Sequence, residues 1–173
     1  QEGIYQYYKA VAAATEKPVV LYNVPGRTGV NMTAETTLRL AEIDNIVAVK
    51  EASGNRTQIL EILEKRPEGF VVLSGNDDET LDLMKNGAEG IISVASNVTP
   101  SMVAELAHDM LEGKVAEAEA LHDRLLPLFR NCFVESNPIP AKAALHAMGV
   151  IQSDMRLPVV PASHPAYDLM AAA

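Results

Sequence analysis

The sequence is poor in the features that mark secreted, membrane-spanning or disulfide-linked proteins. Its 173 residues include one cysteine, Cys132, and no tryptophan. One cysteine excludes an internal disulfide, which is typical of a reducing, cytoplasmic compartment. No apolar run approaches the roughly 18 residues of a membrane span. The amino terminus, Gln1-Glu2-Gly3, has no basic region followed by an apolar stretch, so no signal peptide is predicted; since it lacks methionine, we expect a processed or partial chain.

Positive charge is also scarce. Lysine and arginine number 14 against 23 aspartate and glutamate residues, so the net charge is −9. This balance argues against a broad surface for nucleic acid or for an anionic membrane. It still allows a small anionic substrate, because one arginine can set the local field. With 48% hydrophobic and 21% charged residues, the composition is that of a globular protein.

Four short runs rich in β-branched residues predict strands. Each run is almost continuously apolar, which is typical of parallel strands buried on both faces of a sheet. They are Pro18-Val19-Val20-Leu21-Tyr22, Ile46-Val47-Ala48-Val49-Lys50, Phe70-Val71-Val72-Leu73-Ser74 and Gly90-Ile91-Ile92-Ser93-Val94.

A helical segment is predicted after each of these runs. Thr33 and Asn55 are expected to cap two of the helices, Asp77 or Asp78 opens a third, and Thr99-Pro100 opens the fourth. The order is therefore one helix followed by four strand-helix units, which predicts an α/β fold with a parallel sheet. From about residue 114 the strand signal stops and the pattern is helical.

Ligands of parallel α/β folds bind at the carboxyl ends of the strands, so those ends are the first candidates for a site. Lys50 closes the second apolar run. Burial of its stem disfavours the ammonium form and favours attack of the free amine on a carbonyl. Taken alone, however, a lysine at a strand end more often extends its amine into solvent.

Two residues near the first strand end bear on that choice. Tyr22 closes the first run and can either shuttle protons or simply pack its ring at the rim. The Pro25-Gly26 pair predicts a turn that folds Arg27 back over the strand ends. There, the guanidinium would match a carboxylate, although a solvated loop arginine is an equal alternative.

Other polar clusters give weaker signals. Backbone N–H groups of residues 51–55 offer a possible anion cradle, but the segment is interpreted mainly as a turn. The acids of residues 77–79 suit the start of a helix better than a metal site. Because the four histidines lack ligand spacing, no metal or other cofactor is predicted, and Cys132 is expected in the core.

Three segments together resemble the dihydrodipicolinate synthase family, in its order and at its spacing. They are Tyr22-Asn23-Val24-Pro25-Gly26-Arg27-Thr28-Gly29, Val49-Lys50-Glu51-Ala52-Ser53-Gly54-Asn55 and Leu73-Ser74-Gly75-Asn76-Asp77-Asp78. The segments at residues 90–94 and 137–142 match it too, so the resemblance runs from about Gly3 to Pro161.

The resemblance implies a TIM (β/α)₈ barrel with a C-terminal helical extension. The four predicted strands correspond to strands five to eight of that barrel, which gives a half-barrel over residues 1–113 and a helical extension over residues 114–173. A complete barrel needs about 250 residues, and the family's N-terminal half has no counterpart here. The family also implies a homotetramer in the bacterial cytoplasm and no cofactor.

The same resemblance implies the chemistry. Lys50 would form a Schiff base with pyruvate, and the resulting enamine would attack aspartate semialdehyde to give hydroxytetrahydrodipicolinate, on the path to diaminopimelate and lysine. Tyr22 would shuttle protons, and Arg27 would hold the carboxylate of the second substrate. Gly75 and Ile92 would line the pyruvate pocket, Ile92 through its backbone carbonyl.

Two alternatives remain at this point. One is a related lyase of the N-acetylneuraminate lyase type, whose loop usually lacks an arginine at the position of Arg27. The other is a catalytically silent half-barrel, because the family's missing half supplies a paired-threonine motif and a second tyrosine. We therefore expect weak or no synthase activity from this chain by itself. We also expect its open sheet edges and uncovered apolar face to favour pairing with a second copy.

Overall fold

The computed structural model describes residues 1–172, which form two compact units. The first unit spans Gln1–Ile92, and the second begins at Ser93. The boundary predicted after residue 113 remains a prediction about domain organisation.

The first unit is built on a four-stranded parallel sheet whose strands lie side by side in chain order. The strands are β1 (Val19–Asn23), β2 (Ile46–Glu51), β3 (Val71–Ser74) and β4 (Gly90–Ile91). The helices of this unit are α1 (Glu2–Ala13), α2 (Pro25–Thr28), α3 (Ala34–Ala41), α4 (Arg56–Lys65) and α5 (Thr80–Lys85). The predicted α/β order with a parallel sheet is thus confirmed.

Polar caps begin two of these helices soon after the preceding strand, as predicted. The Thr33 hydroxyl accepts a hydrogen bond from the backbone N–H of Thr36, 3.3 Å away. The side-chain oxygen of Asn55 accepts one from the N–H of Gln58, 3.2 Å away. Each cap satisfies an N–H group that the first helical turn leaves unpaired. Helices α3 and α4 therefore begin where the sequence places them.

Two elements differ from the prediction. The fourth strand was expected to run to Val94 but ends at Ile91, and residues 95–97 form a 3₁₀ turn. Within the sheet formed by residues 1–172 it lies at the edge, where it pairs with β3 through two ladder pairs. The expected Pro25-Gly26 turn is the one-turn helix α2, with Pro25 in the first turn and Gly29 ending it at φ 74°.

The sheet of the first unit has one covered face. Leu21, Val49 and Val72 occupy matching positions in neighbouring strands and are fully buried. On the opposite face of β1, Val20 is 46% exposed and Tyr22 is 41% exposed. The prediction that all the strands are buried on both faces is therefore wrong for β1. The uncovered apolar face expected for half of a barrel is present.

The second unit is helical. Its helices are α6 (Pro100–Leu111), α7 (Val115–Asn131), α8 (Ile139–Ala147) and α9 (His164–Ala172). Helix α6 packs on α7, α8 packs on α9, and α7 also contacts α9. Leu106, Phe129 and Cys132 are buried in this unit, so the predicted core position of the cysteine is confirmed. Within residues 1–172, no helix combines the length and apolarity required to cross a bilayer.

Candidate active site

The parallel register places Tyr22 and Lys50 next to each other. Tyr22 of β1 pairs with Lys50 of β2, which in turn pairs with Leu73 of β3. Paired residues of neighbouring strands point to the same face of a sheet. The two candidate catalytic side chains therefore share the open face, near the carboxyl ends of their strands.

The two side chains are in contact. The Lys50 Nζ lies 4.3 Å from the centre of the Tyr22 ring. This distance is within the range of a cation–π interaction, in which the ring face attracts the ammonium group. Lys50 is half-buried and Tyr22 is 41% exposed, so solvent and a small ligand can reach the amine. The lysine is thus held beside the tyrosine ring face.

Gly75 makes room for the Lys50 stem. It directly follows β3, is buried, and its N–H donates a 2.7 Å hydrogen bond to the carbonyl of Glu51. A side-chain carbon placed on Gly75 would lie 3.2 Å from Lys50 Cε and only 2.6 Å from Cβ of Ala52. The absence of a side chain at this position is therefore a packing requirement of the lysine site.

Arg27 and Ile92 lie at the ends of other elements of the same unit. Arg27 is in helix α2, just after β1, and its side chain is exposed. Ile92 directly follows β4, its N–H donates to the Ser74 carbonyl at 2.9 Å, and its side chain is 41% exposed. The structure thus brings together Tyr22, Lys50 and Gly75. Across residues 1–172, no hydrogen bond or ion pair joins Arg27 or Ile92 to that group.

A buried carboxylate that the sequence analysis did not single out lies on the other face of the sheet. Glu51 follows Lys50 and is fully buried. Both of its carboxylate oxygens are 3.1 Å from Nδ2 of Asn23, and Oε1 also accepts the Ser53 N–H at 2.8 Å. Gln58 Nε2 lies 3.4 Å from Oε2. Burial raises the pKa of Glu51, and these hydrogen bonds offset part of that effect.

One sequence signal pointed to this region. The sequence offers the backbone N–H groups of residues 51–55 as a possible anion cradle. In the structure, the Ser53 N–H donates its hydrogen bond to the side chain of Glu51. Strand alternation offers a second signal, which the sequence analysis does not use: if β2 continues through Glu51, this residue faces the side opposite to Lys50, toward the helices. An acid at a helix-facing strand position is unusual unless it has hydrogen-bond partners.

A cavity of about 330 Å³ adjoins Tyr22 on the side of helix α1. Its lining is largely apolar and includes Ile4, Tyr7, Tyr8 and Val30. Lys50 does not line it, so we do not assign it to the substrate of the lysine. Within the described 172 residues, no group of three or more His, Cys, Asp or Glu side chains is arranged to hold a metal ion.

Comparison with known proteins agrees with this geometry. The family model described as the dihydrodipicolinate synthetase family matches residues 1–173. The 4-hydroxy-tetrahydrodipicolinate synthase of Phocaeicola vulgatus is 51% identical over 173 residues, which cover 99% of this chain and 58% of that protein. The corresponding enzyme of Archaeoglobus fulgidus is 50% identical over 162 residues, with 94% and 56% covered.

Solved structures show the same likeness. The crystal structure of dihydrodipicolinate synthase from Thermotoga maritima has a TM-score of 0.96 and 43% identity, covering 99% of this chain and 59% of that one. A chloride-inhibited dihydrodipicolinate synthase from Acinetobacter baumannii, complexed with pyruvate, has a TM-score of 0.95 and 40% identity, covering 99% and 59%. The predicted (β/α)₈-barrel family fold is thereby confirmed.

The matches cover part of each relative's length. The chain spans about 58% of the length of the relatives that it matches. The match nevertheless covers the whole chain, including the segments around Tyr22, Lys50 and Gly75. This chain belongs to the dihydrodipicolinate synthetase family.

Proposed function

We propose that this chain carries the Schiff-base lysine of a 4-hydroxy-tetrahydrodipicolinate synthase. The observation that carries the proposal is the 4.3 Å approach of Lys50 Nζ to the Tyr22 ring, beside a glycine that leaves space for the lysine stem. A half-buried primary amine at the carboxyl end of a parallel sheet is well placed to attack a carbonyl. The pyruvate complex of the Acinetobacter baumannii relative supports pyruvate as the first substrate.

The proposed reaction begins when the neutral amine of Lys50 attacks the ketone carbon of pyruvate. Loss of water gives an imine, and removal of a proton from the methyl group gives an enamine. The enamine carbon forms a bond to the aldehyde carbon of aspartate semialdehyde. The amine of that substrate then attacks the imine carbon, closes the ring and releases Lys50 as hydroxytetrahydrodipicolinate leaves.

The other candidate residues have supporting roles in this proposal. Tyr22 moves protons at the imine, and its hydroxyl is the group that would do so. Arg27 is exposed on α2, so its guanidinium is accessible to the carboxylate of aspartate semialdehyde. Gly75 and Ile92 border the pyruvate pocket.

Assembly and location belong to the same proposal. The exposed apolar residues on the open face of β1, Val20 and Tyr22, support association with further copies of the chain. The single cysteine and the family relationship support a cytoplasmic setting. We therefore propose a cytoplasmic homo-oligomer that acts on pyruvate and aspartate semialdehyde.

The test is chemical trapping. The chain is incubated with pyruvate, reduced with borohydride, digested and analysed by mass spectrometry. We expect the mass of one reduced pyruvate on the peptide that contains Lys50. A folded chain that shows no adduct, or an adduct on another lysine, would contradict the proposal. In a separate incubation without borohydride, competition between aspartate semialdehyde and a sugar aldehyde for the unreduced enamine distinguishes the synthase from a neuraminate-type lyase.

A further inference from the structure

Glu51 is a buried carboxyl group for which the proposed reaction has no use. It is fully buried, and its carboxyl group accepts hydrogen bonds from the amide of Asn23, the backbone N–H and side chain of Ser53, and the amide of Gln58. Burying a carboxylate costs free energy unless hydrogen bonds compensate for the lost water. A residue of this kind at a strand end needs a structural or functional explanation.

The hydrogen-bond network extends from Glu51 to the loop of residues 29–33, which follows helix α2. The Met32 N–H donates to Asn23 Oδ1 at 3.0 Å, and the Met32 carbonyl accepts from Gln58 Nε2 at 3.0 Å. Asn31 Nδ2 donates to Gln58 Oε1 at 2.8 Å. These contacts join the ends of β1 and β2, the loop of residues 29–33 and helix α4. We call this set of side chains, Asn23, Asn31, Glu51 and Gln58, the carboxylate clasp.

The carboxylate clasp lies directly behind the lysine site. Asn23 pairs with Glu51 in the ladder, one position after the pair formed by Tyr22 and Lys50. Because successive strand residues point to opposite faces, the two pairs lie on opposite sides of the same two strand ends. The backbone continues the link, since the Ala52 N–H donates to the Asn23 carbonyl at 2.9 Å. Any slip between β1 and β2 would separate Lys50 from Tyr22.

We propose that Glu51 is a positioning residue, whose carboxylate clasps the ends of β1 and β2 so that the Lys50 amine stays against the Tyr22 ring. The catalytic consequence of this inference rests on the proposed function. The position of the Lys50 amine against the Tyr22 ring, however, can be measured without pyruvate. Glu51 does not touch the reacting atoms in this scheme. It acts through the strand ends that carry them.

The test compares Glu51→Gln with Glu61→Gln, which makes the same chemical change at a partly exposed residue of helix α4. Glutamine keeps the shape of Glu51 but turns one acceptor oxygen into a donor that faces other donors. The first readout is the NMR signal of ¹³C-dimethylated Lys50, assigned with Lys50→Arg, because the Tyr22 ring current displaces it. We expect the displacement to shrink in Glu51→Gln and to stay unchanged in Glu61→Gln.

The second readout is the rate of imine formation with pyruvate, followed by borohydride trapping. In Glu51→Gln we expect the maximal rate to fall roughly tenfold or more, because small misplacements of a reacting group are costly. The pyruvate concentration at half-saturation should change by less than about twofold. If Glu51 has a purely structural role, Glu51→Gln will lower the stability of the chain but leave the ring-current displacement and the maximal rate of the folded molecules unchanged. That result would overturn the inference.

A second variant covers the possibility that Glu51→Gln does not fold. Gln58→Ala removes one donor from the carboxylate clasp and leaves Glu51 in place, so we expect changes in the same direction but smaller. Wild-type values of both readouts in a folded Gln58→Ala would also overturn the inference. If the unaltered chain forms no adduct with pyruvate, the proposed function fails, whereas the ring-current comparison still decides whether Glu51 positions Lys50.

Discussion

Lys50 Nζ lies 4.3 Å from the centre of the Tyr22 ring, over the ring rather than hydrogen-bonded to the hydroxyl. The contact assigns two separable roles to the tyrosine. Its ring attracts the ammonium form of the lysine, while its hydroxyl is the only part that can move a proton. Substitutions that remove one property and keep the other can therefore distinguish the two.

The pair Tyr22→Phe and Tyr22→Leu makes that distinction. Phenylalanine keeps the ring and loses the hydroxyl, so we expect near wild-type stability with slower imine formation. Leucine also loses the ring face, and we expect the free energy of unfolding to fall by a further ~0.5–1 kcal/mol, as is typical of exposed cation–π pairs. Urea denaturation and borohydride trapping measure the two effects. Equal trapping rates in wild type and Tyr22→Phe would exclude the hydroxyl as a proton shuttle.

Replacing the nucleophile tests its chemical role directly. Lys50→Arg keeps the positive charge over the Tyr22 ring but removes the primary amine, so we expect no reducible pyruvate adduct. The matched control is Lys65→Arg, at an exposed lysine paired with Glu61, which should form the wild-type amount. The measurement is the intact mass after reduction. An adduct that persists in Lys50→Arg would place the imine on a different lysine.

Gly75→Ala tests the packing at the base of the lysine. The added carbon would lie 2.6 Å from Cβ of Ala52, 3.0 Å from the Glu51 carbonyl oxygen and 3.2 Å from Lys50 Cε. Overpacking of this kind costs about 1–3 kcal/mol, and the displaced strand end should also slow imine formation. Gly3→Ala is the control, since nothing lies within 4 Å of its added carbon. Thermal unfolding measures the difference, and equal losses in both variants would refute the packing argument.

The buried carboxyl of Glu51 predicts a pH effect on stability. Burial raises the pKa of Glu51 in the folded state above its ordinary value, so the folded chain binds this proton more tightly than the unfolded chain. The contribution of Glu51 to stability is therefore full below its unfolded pKa and is lost as the pH rises through the folded pKa. Glu51→Gln does not titrate. We expect urea midpoints of wild type to fall relative to the variant as the pH rises, and a constant difference would contradict the raised pKa.

The open face of β1 predicts self-association. Val20 is 46% exposed beside Tyr22, on the open face of the sheet. We expect concentration-dependent sedimentation of the chain, weakened by Val20→Lys. Thr57→Lys introduces the same charge at an exposed position of helix α4 and should leave the association unchanged. A monomer at every concentration would show that this face needs no second copy. In that case, weak or absent synthase activity is still the expectation for the chain by itself.

The strands and the site were predictable to different degrees. Apolar runs placed β1, β2 and β3 within about one residue, because β-branched and other apolar residues are enriched in strands that bury at least one face. The motifs containing Tyr22, Lys50 and Gly75 identified residues that the structure brings into contact. The predicted fourth strand, Gly90–Val94, is three residues longer than the observed strand, Gly90–Ile91. Apolar character alone does not show that a strand lies at the edge of the sheet with one partner.

Helix α9 and the carboxylate clasp were not predicted. Helix α9 lies in a segment with no clear apolar period, and its buried residues, Ala166 and Met170, gain their partners from packing. Glu51 and Asn23 are distant in the sequence, and the apolar runs that predict their strands end one residue before each of them, at Lys50 and Tyr22. Their relationship requires the register that pairs them.

Local patterns in the sequence determined which segments become strands and helices, where the helices are capped, and which lysine ends a buried run. Those properties depend on burial and on hydrogen bonds between near neighbours in the chain. Tertiary structure alone decided that the Lys50 amine lies over the Tyr22 ring and that the Glu51 carboxylate is clasped behind it. Both contacts join separate strands, and the side of the sheet on which each side chain falls follows from the ladder register and the alternation of the strand.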